Sequence, residues 1–172
     1  MNIALCDGKY GSQVTATGYF SMNTSNTNTG GWASCQMRTV ICEAMKSVIP
    51  SELQTVLKSV AKYTDNTGNK NSTASAVTAT TDYFFLLSEY EVLGSRSYAN
   101  LGESSKQKQY DYYSTGNSRI KYNHSAMSAS IYWWLRSPLV DFADGFSFVL
   151  ADGTVNGITS YYSFGFAPAF CV

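Results

Sequence analysis

One histidine, His124, and three prolines serve the whole 172-residue chain. Its four cysteines, at 6, 35, 42 and 171, never form a paired CxxC; with so few imidazoles and no closely spaced thiols, no metal site is expected. Neither sign of charge is in surplus, because 12 Lys and Arg balance 12 Asp and Glu. The long-range field that draws basic chains to nucleic acid or an anionic membrane is therefore missing. No run approaches about eighteen apolar residues, and Met1 to Cys6 has neither a basic start nor a long apolar core, so neither a membrane span nor a signal peptide is visible. A Gly-x-Ser-x-Gly elbow, a phosphate-cradling glycine loop and an HExxH pair are also absent. His124, in the polar segment KYNHSAM, reads as a surface residue. No cofactor is expected, and the sequence speaks against catalysis.

What is present is a hydrophobic content of 44%, enough for one globular domain over residues 1–172. The opening MNIALCDGKYGS reads like a start inside a larger protein, with this domain its C-terminal part. Cys35 and Cys42 fall seven apart on an expected helix, about 10 Å along its axis, too far for a mutual disulfide. They read as buried thiols. A Cys6 to Cys171 bridge is geometrically open but has no sequence support, and the lack of a disulfide framework favours a reducing compartment.

Gly, Asn, Ser and Thr recur throughout and favour turns over long elements. NTSNTNTGG, from Asn23 to Gly31, reads as a polar loop after a short strand-like start. A helix is expected from Ser34 to Val48, where Met37, Val40, Ile41, Ala44, Met45 and Val48 recur at helical spacing, with Ser34 able to cap it. After Pro50, Ser51 reads as the N-cap of a second helix with Leu53, Val56, Leu57 and Val60 as its stripe, ending near Lys62. Residues 65–81 carry little core material and are expected to form an exposed, mobile excursion. Asp82 to Gly94 reads as a buried strand and turn, and YWWLRS, FSFVLADGTV and FGFAPAFCV as three strands, with Asp152-Gly153 making a hairpin turn. Early helices and late short strands argue an α+β domain.

Glu89 and Glu91 lie two apart on what reads as extended chain and share a face, which would suit paired carboxylates. The better reading has them accept loop hydrogen bonds or pair with Arg38 or Arg136. Those two arginines sit among apolar neighbours, and a buried guanidinium needs partners for its five donors, so both read as structural clamps. Trp32, Trp133 and Trp134 read as packing residues, with one of the adjacent pair facing away from the other.

From Leu139 to Val172 there is no Lys, Arg, Gln, Glu, Met, Trp or His. Lys, Gln, Glu, Met and Trp are the amino acids that no pyrimidine-ending codon encodes. Tyr, Phe, Ser, Asn and Gly, which this tail does use, are favoured by adaptable binding surfaces.

The phrases GYFSMNTSNTNTGGWASCQMR, IPSELQTVLKSVAKYT, TTDYFFLLSEYEVLG, YYSTGNSRIK and WWLRSP, with the ending FGFAPAFCV, resemble a domain of unassigned function from gut bacteria and their phages. That domain is similar in its ending to retroelement-diversified variable proteins with a C-type lectin fold, such as phage tropism determinants. The resemblance runs from about Gly18 to the end. It implies that WWLRSP and the last strand hold the backbone while side chains between them vary on one exposed face through error-prone copying at adenines. The Glu-Pro-Asn calcium triplet of sugar-binding C-type lectins is not present, so calcium-dependent sugar binding is not implied.

The expected contact set is Leu139, Val140, Asp141, Phe142, Asp144, Ser147, Leu150, Thr154, Asn156, Ile158, Tyr161, Tyr162 and Phe164, with Phe142, Tyr161 and Tyr162 as anchors. The resemblance implies a non-catalytic receptor-recognition domain on a phage virion or bacterial surface, meeting a protein or glycan ligand on a cell surface. It involves no nucleic acid and no direct membrane insertion, and homo-oligomerisation is compatible with it. Two alternatives are a subunit-contact module of a phage tail or surface fibre and an enzyme resembling formylglycine-generating oxidases, which share the lectin fold. The latter would need reactive thiols, which Cys35 and Cys42 on a helix face do not offer.

Overall fold

Asn, Ser, Thr and Gly offer the backbone local alternatives to regular ladders, and the elements are correspondingly short. In the computed structural model, which describes residues 20–123 and 128–172, no α-helix exceeds six residues. The strand-like start before Phe20, Cys6 with its bridge to Cys171, and His124 lie outside the described residues. The architecture is mixed α+β with short antiparallel sheets.

The expected first helix is split. α1 (Gly31–Ser34) follows a left-handed Gly30, with no side-chain cap. A wide π turn (Met37–Cys42) then runs into α2 (Glu43–Val48). The stripe survives the break, because Met37, Ile41, Cys42 and Met45 are all buried. α2 stops at Ile49, which is extended (ψ 156°), as a residue before proline prefers to be. α3 (Ser51–Val56) is capped by Pro50, and the Ser51 hydroxyl bonds Glu52 instead of capping. The second helix therefore ends well before Lys62. Val56 is exposed, and Val60 opens a strand.

Residues 65–81 do not form a mobile excursion. β1 (Val60–Asp65) and β2 (Val77–Asp82) pair antiparallel in register from Val60 with Asp82 to Asp65 with Val77. Valine and threonine supply β-branched side chains here, and Thr64, Val77 and Thr80 are buried. The tip is tied down by Asp65 Oδ1, which accepts from the amides of Thr67 (2.8 Å) and Gly68 (2.9 Å). Gly68 is required there: it has a positive φ, and a Cβ would lie 1.9 Å from the Asn28 carbonyl oxygen.

Phe84, Phe85 and Leu86 are buried as expected, but the chain then turns into a helix, α4 (Glu89–Leu93). A capping box between Ser88 and Glu91 starts it and left-handed Gly94 ends it. Glu89 and Glu91 thus occupy a first helical turn rather than one strand face. α5 (Leu101–Lys106) and α6 (Asp111–Ser114) follow, then the small pair β3 (Lys121–Tyr122) and β4 (Ser130–Ile131).

The last sheet has the order β5-β6-β7, built from β5 (Trp133–Pro138), β6 (Gly145–Val149) and β7 (Val155–Thr159). The β6–β7 turn carries Asp152 and a left-handed Gly153, matching the hairpin expectation. FGFAPAFCV is not a strand. It makes isolated bridges, from Phe164 to Phe20, Gly165 to Trp133, Ala169 to Phe85 and Cys171 to Lys58, with Pro168 unable to donate.

Every residue of β5 and β6 is buried because both faces of the sheet are covered. Trp134 joins the main core with Trp32, Met37, Phe85, Phe146 and Phe166. Trp133 points the other way into a second core with Val92, Leu135 and Val149. Each indole N–H finds a carbonyl, that of Phe20 for Trp134 (2.7 Å) and that of Arg119 for Trp133 (3.0 Å).

Candidate ligand-binding face

The loops that carry the face are fixed from inside by buried polar groups. Arg136 is fully buried and donates to Glu91 Oε2 (2.5 Å), Thr64 Oγ1 (2.6 Å) and the Leu86 carbonyl (2.7 Å). Lys62 adds a second ion pair to Glu91 at 2.5 Å. Burial alone would raise the Glu91 carboxyl, but the Arg136 and Lys62 charges outweigh it and hold the group at about 2. Arg38 pairs with Asp82 at 2.6 Å, and Asp82 also accepts from Trp32 Nε1 at 3.1 Å. Both arginines are clamps.

Glu89 is a hub for loop backbone. Its carboxylate accepts from the amides of Ser97, Tyr98 and Ala99 and from the Ser147 hydroxyl at 3.1 Å. Val140 N donates to the Tyr98 carbonyl at 3.0 Å, so this hub reaches the loop after Pro138. Asn28 holds the same loop from the other side. Its Nδ2 lies within 3.2 Å of the Leu139, Phe142 and Gly145 carbonyls, and its Oδ1 accepts from Asn69 N at 2.8 Å. Ser160, also buried, donates from Oγ to the Ser25 carbonyl (3.0 Å) and from N to the Asp144 carbonyl (2.8 Å).

On this frame the thirteen expected contact residues divide three ways. Asp141, Phe142, Thr154, Asn156, Tyr161 and Tyr162 are exposed. Val140, Asp144, Leu150 and Ile158 are half-buried. Leu139, Ser147 and Phe164 are buried and do not face outward. The reasons differ: Ser147 lies on a strand covered on both faces, and Leu139 packs over Gly157, where a Cβ would come within 2.6 Å of it. Phe164 is an inner rung of an aromatic column.

That column runs from core to solvent. Trp134 and Phe164 have ring centroids 4.8 Å apart, Phe164 and Tyr162 6.3 Å, and Tyr162 and Tyr161 4.8 Å with planes 21° apart. The neighbouring Tyr161 hydroxyl pushes the Tyr162 phenol above its ordinary value. Beside the column is a cleft of about 430 Å³, floored by Leu139 and Ile158 and walled by Phe142, Tyr161 and Tyr162, with Asp144 among its lining residues. Leu150 and Thr154 belong to the turn end of the β6–β7 hairpin, about 13 Å from Ile158 at the rise of a strand, and Asn156 lies midway, about 7 Å from it; none of the three lines the cleft. Tyr132 was not anticipated: it is 43% exposed and packs edge-on against Phe148 and Phe164. Its place in an aromatic run, immediately before the buried Trp133 and Trp134, was the available signal.

Cys35 and Cys42 are buried, as expected; burial pushes the Cys35 thiol up to about 12 and Cys42 well above its ordinary value. Among the described residues no three His, Cys, Asp or Glu side chains are grouped to hold a metal ion, and no helix is long and apolar enough to cross a membrane. No curated protein and no solved structure matches the chain. A family model matches residues 13–172, and the chain therefore belongs to the family described as Domain of unknown function (DUF6273).

Proposed function

We propose that the domain is a non-catalytic receptor-recognition module, with a C-type-lectin-like fold and a side-chain-variable face after Pro138, displayed on a phage virion or bacterial surface toward a protein or glycan ligand. The observation that carries this reading is the division of labour around the cleft. Phe142, Tyr161 and Tyr162 are 57%, 48% and 44% exposed, whereas the groups that shape the loop beneath them, Asn28, Glu89 and Ser160, are buried. Exposed rings on a rigid frame give contact area at low entropic cost. The absence of Lys, Gln, Glu, Met and Trp from residues 139–172 supports the variable part of the reading.

Tyr161→Ala with Tyr162→Ala tests it. The double variant is expected to melt within about 3 °C of the parent, as surface changes do, while binding to a cognate partner weakens at least about 30-fold, the loss typical of an anchor residue. A melting point lowered by 10 °C or more, on the order of several kcal/mol, would make these tyrosines core residues and sink the proposal. The subunit-contact reading is favoured by a separate apolar groove of about 540 Å³ lined by Met45, Ile49, Leu53, Phe84 and exposed Phe170. A stable dimer or trimer in sedimentation that persists in the double tyrosine variant would support it.

A further inference from the structure

The face after Pro138 is chemically lopsided. From Leu139 to Val172 the chain has Asp141, Asp144 and Asp152 and no cationic side chain. Elsewhere four lysines lie over aromatic rings of the protein itself: Lys46 over Tyr83 at 4.3 Å, Lys62 over Phe85 at 4.2 Å, Lys106 over Tyr63 at 5.8 Å and Lys121 over Trp133 at 4.8 Å. Among the described residues no lysine or arginine lies over Phe142, Tyr161 or Tyr162. Among the described residues neither Asp141 nor Asp144 enters an ion pair, and Asp144 has a long contact from Asn26 Nδ2 at 3.4 Å.

Tyr162 is sandwiched between Tyr161 and Phe164, which leaves Tyr161 as the terminal rung. Its outer face has no ring partner among the described residues. A flat cation continues such a stack, and a carboxylate beside it adds charge pairing. Asp144 is held in place through its backbone, since its carbonyl accepts from Ser160 N immediately before Tyr161. A cleft of about 430 Å³ falls in the range that encloses a small group.

We propose that this cleft receives an arginine side chain presented by a protein partner, its guanidinium stacked on Tyr161 and paired with Asp144. The inference rests on the receptor reading and names its partner chemistry. A neutral sugar ring would also stack on tyrosine and its hydroxyls could donate to Asp144, but it supplies no opposing charge, and charge-assisted pairs are the stronger ones. The guanidinium satisfies the ring and the carboxylate together.

The test uses the intact chain and three probes: a capped Ala-Gly-Arg-Gly-Ala peptide, the same peptide with citrulline, and a neutral methyl galactoside. Ring resonances of Tyr161 and Tyr162 are followed by NMR. The arginine peptide is expected to shift both with saturation at millimolar concentration. The citrulline peptide, which keeps the shape and loses the charge, is expected to bind at least about 10-fold more weakly. Asp144→Asn should bring the arginine peptide close to the citrulline level with the melting point held, and salt should weaken the arginine peptide alone. Equal binding of the two peptides, no saturation by the arginine peptide up to about 20 mM, or a response to the galactoside alone overturns the arginine assignment. If any of these occurs while the double tyrosine variant stays folded and loses its partner, the receptor reading stands and only the arginine falls. Unfolding of the double variant removes both.

Discussion

Asn28→Ala should cost more stability than losing both exposed tyrosines, although Asn28 comes from a loop with no apolar pattern. Asn28 is completely buried, and alanine removes the donor from the Leu139 and Phe142 carbonyls and the acceptor from Asn69 N, whereas the Gly145 carbonyl keeps the Leu139 N–H. Each buried group left unpaired costs about 1–3 kcal/mol. Phe142 lies in exposed chain and its carbonyl can turn toward water, and the space vacated by an amide can admit one bridging water, so about half of the cost is recovered. The expected net loss is about 3 kcal/mol, or a melting point lower by about 6–12 °C for a domain of this size. Thermal unfolding followed by circular dichroism at neutral pH measures it. Asn28→Asp is the sharper comparison, because an aspartate sets acceptor oxygens against three carbonyls and should be worse than alanine. Should alanine cost less than about 3 °C, or aspartate match the parent, the loop after Pro138 would be holding its own shape and Asn28 would not be its staple.

Two further perturbations probe the interior. Burial raises the Glu103 carboxyl from 4.5 to about 7, against weaker opposing hydrogen bonds from Ser137, the Asp65 amide and Gln107. A folded-state value above the unfolded one means the native protein binds the extra proton between those limits, so this group's contribution to stability declines as pH rises from 4.5 to about 7; Glu103→Gln should flatten that part of a stability-versus-pH curve, and an unchanged slope refutes the assignment. Glu91→Gln leaves Arg136 and Lys62 as buried cations without their shared carboxylate; urea unfolding should show a loss of about 3–5 kcal/mol, with Lys62→Met in the same background recovering part of it, and a loss below about 1 kcal/mol would show that water already reaches the pair.

The apolar stripe of residues 37–45, the buried run at 84–86 and the Asp152-Gly153 turn were legible because each is a local pattern with one physical meaning; Val48, expected in the stripe, is exposed at the end of α2. The β1–β2 hairpin was not. VAKYTD and VTATTD contain too few large apolar residues to announce a buried strand, and what buries them is α5 and the Asp65 and Asn100 hydrogen bonds, all distant in sequence. Glu89 and Glu91 were given the right kind of partner on the wrong element: Ser88 followed by Glu91 is a capping-box spacing, and the apolar run before it concealed the helix start.

Three members of the expected contact set, Leu139, Ser147 and Phe164, turn inward for reasons of another kind. A strand with one exposed side alternates, whereas β6 has a sheet neighbour on each edge and is covered on both faces, so Ser147, expected to face outward, is committed to Glu89. The same logic limits which positions any side-chain variation can reach. A larger residue at 147 would break the Glu89 hub that also ties residues 97–99, and a polar residue at 139 would face the Gly145 and Gly157 backbones. Phe164 joins the column to Trp134, so its replacement would disturb the core. Variation without loss of fold is therefore confined to positions such as 141, 142, 154, 156, 161 and 162, whose side chains end in solvent. Of these, 142, 161 and 162 border one cleft, and on the proposed reading changes there would alter what it receives while the interior that sets the backbone remains the same.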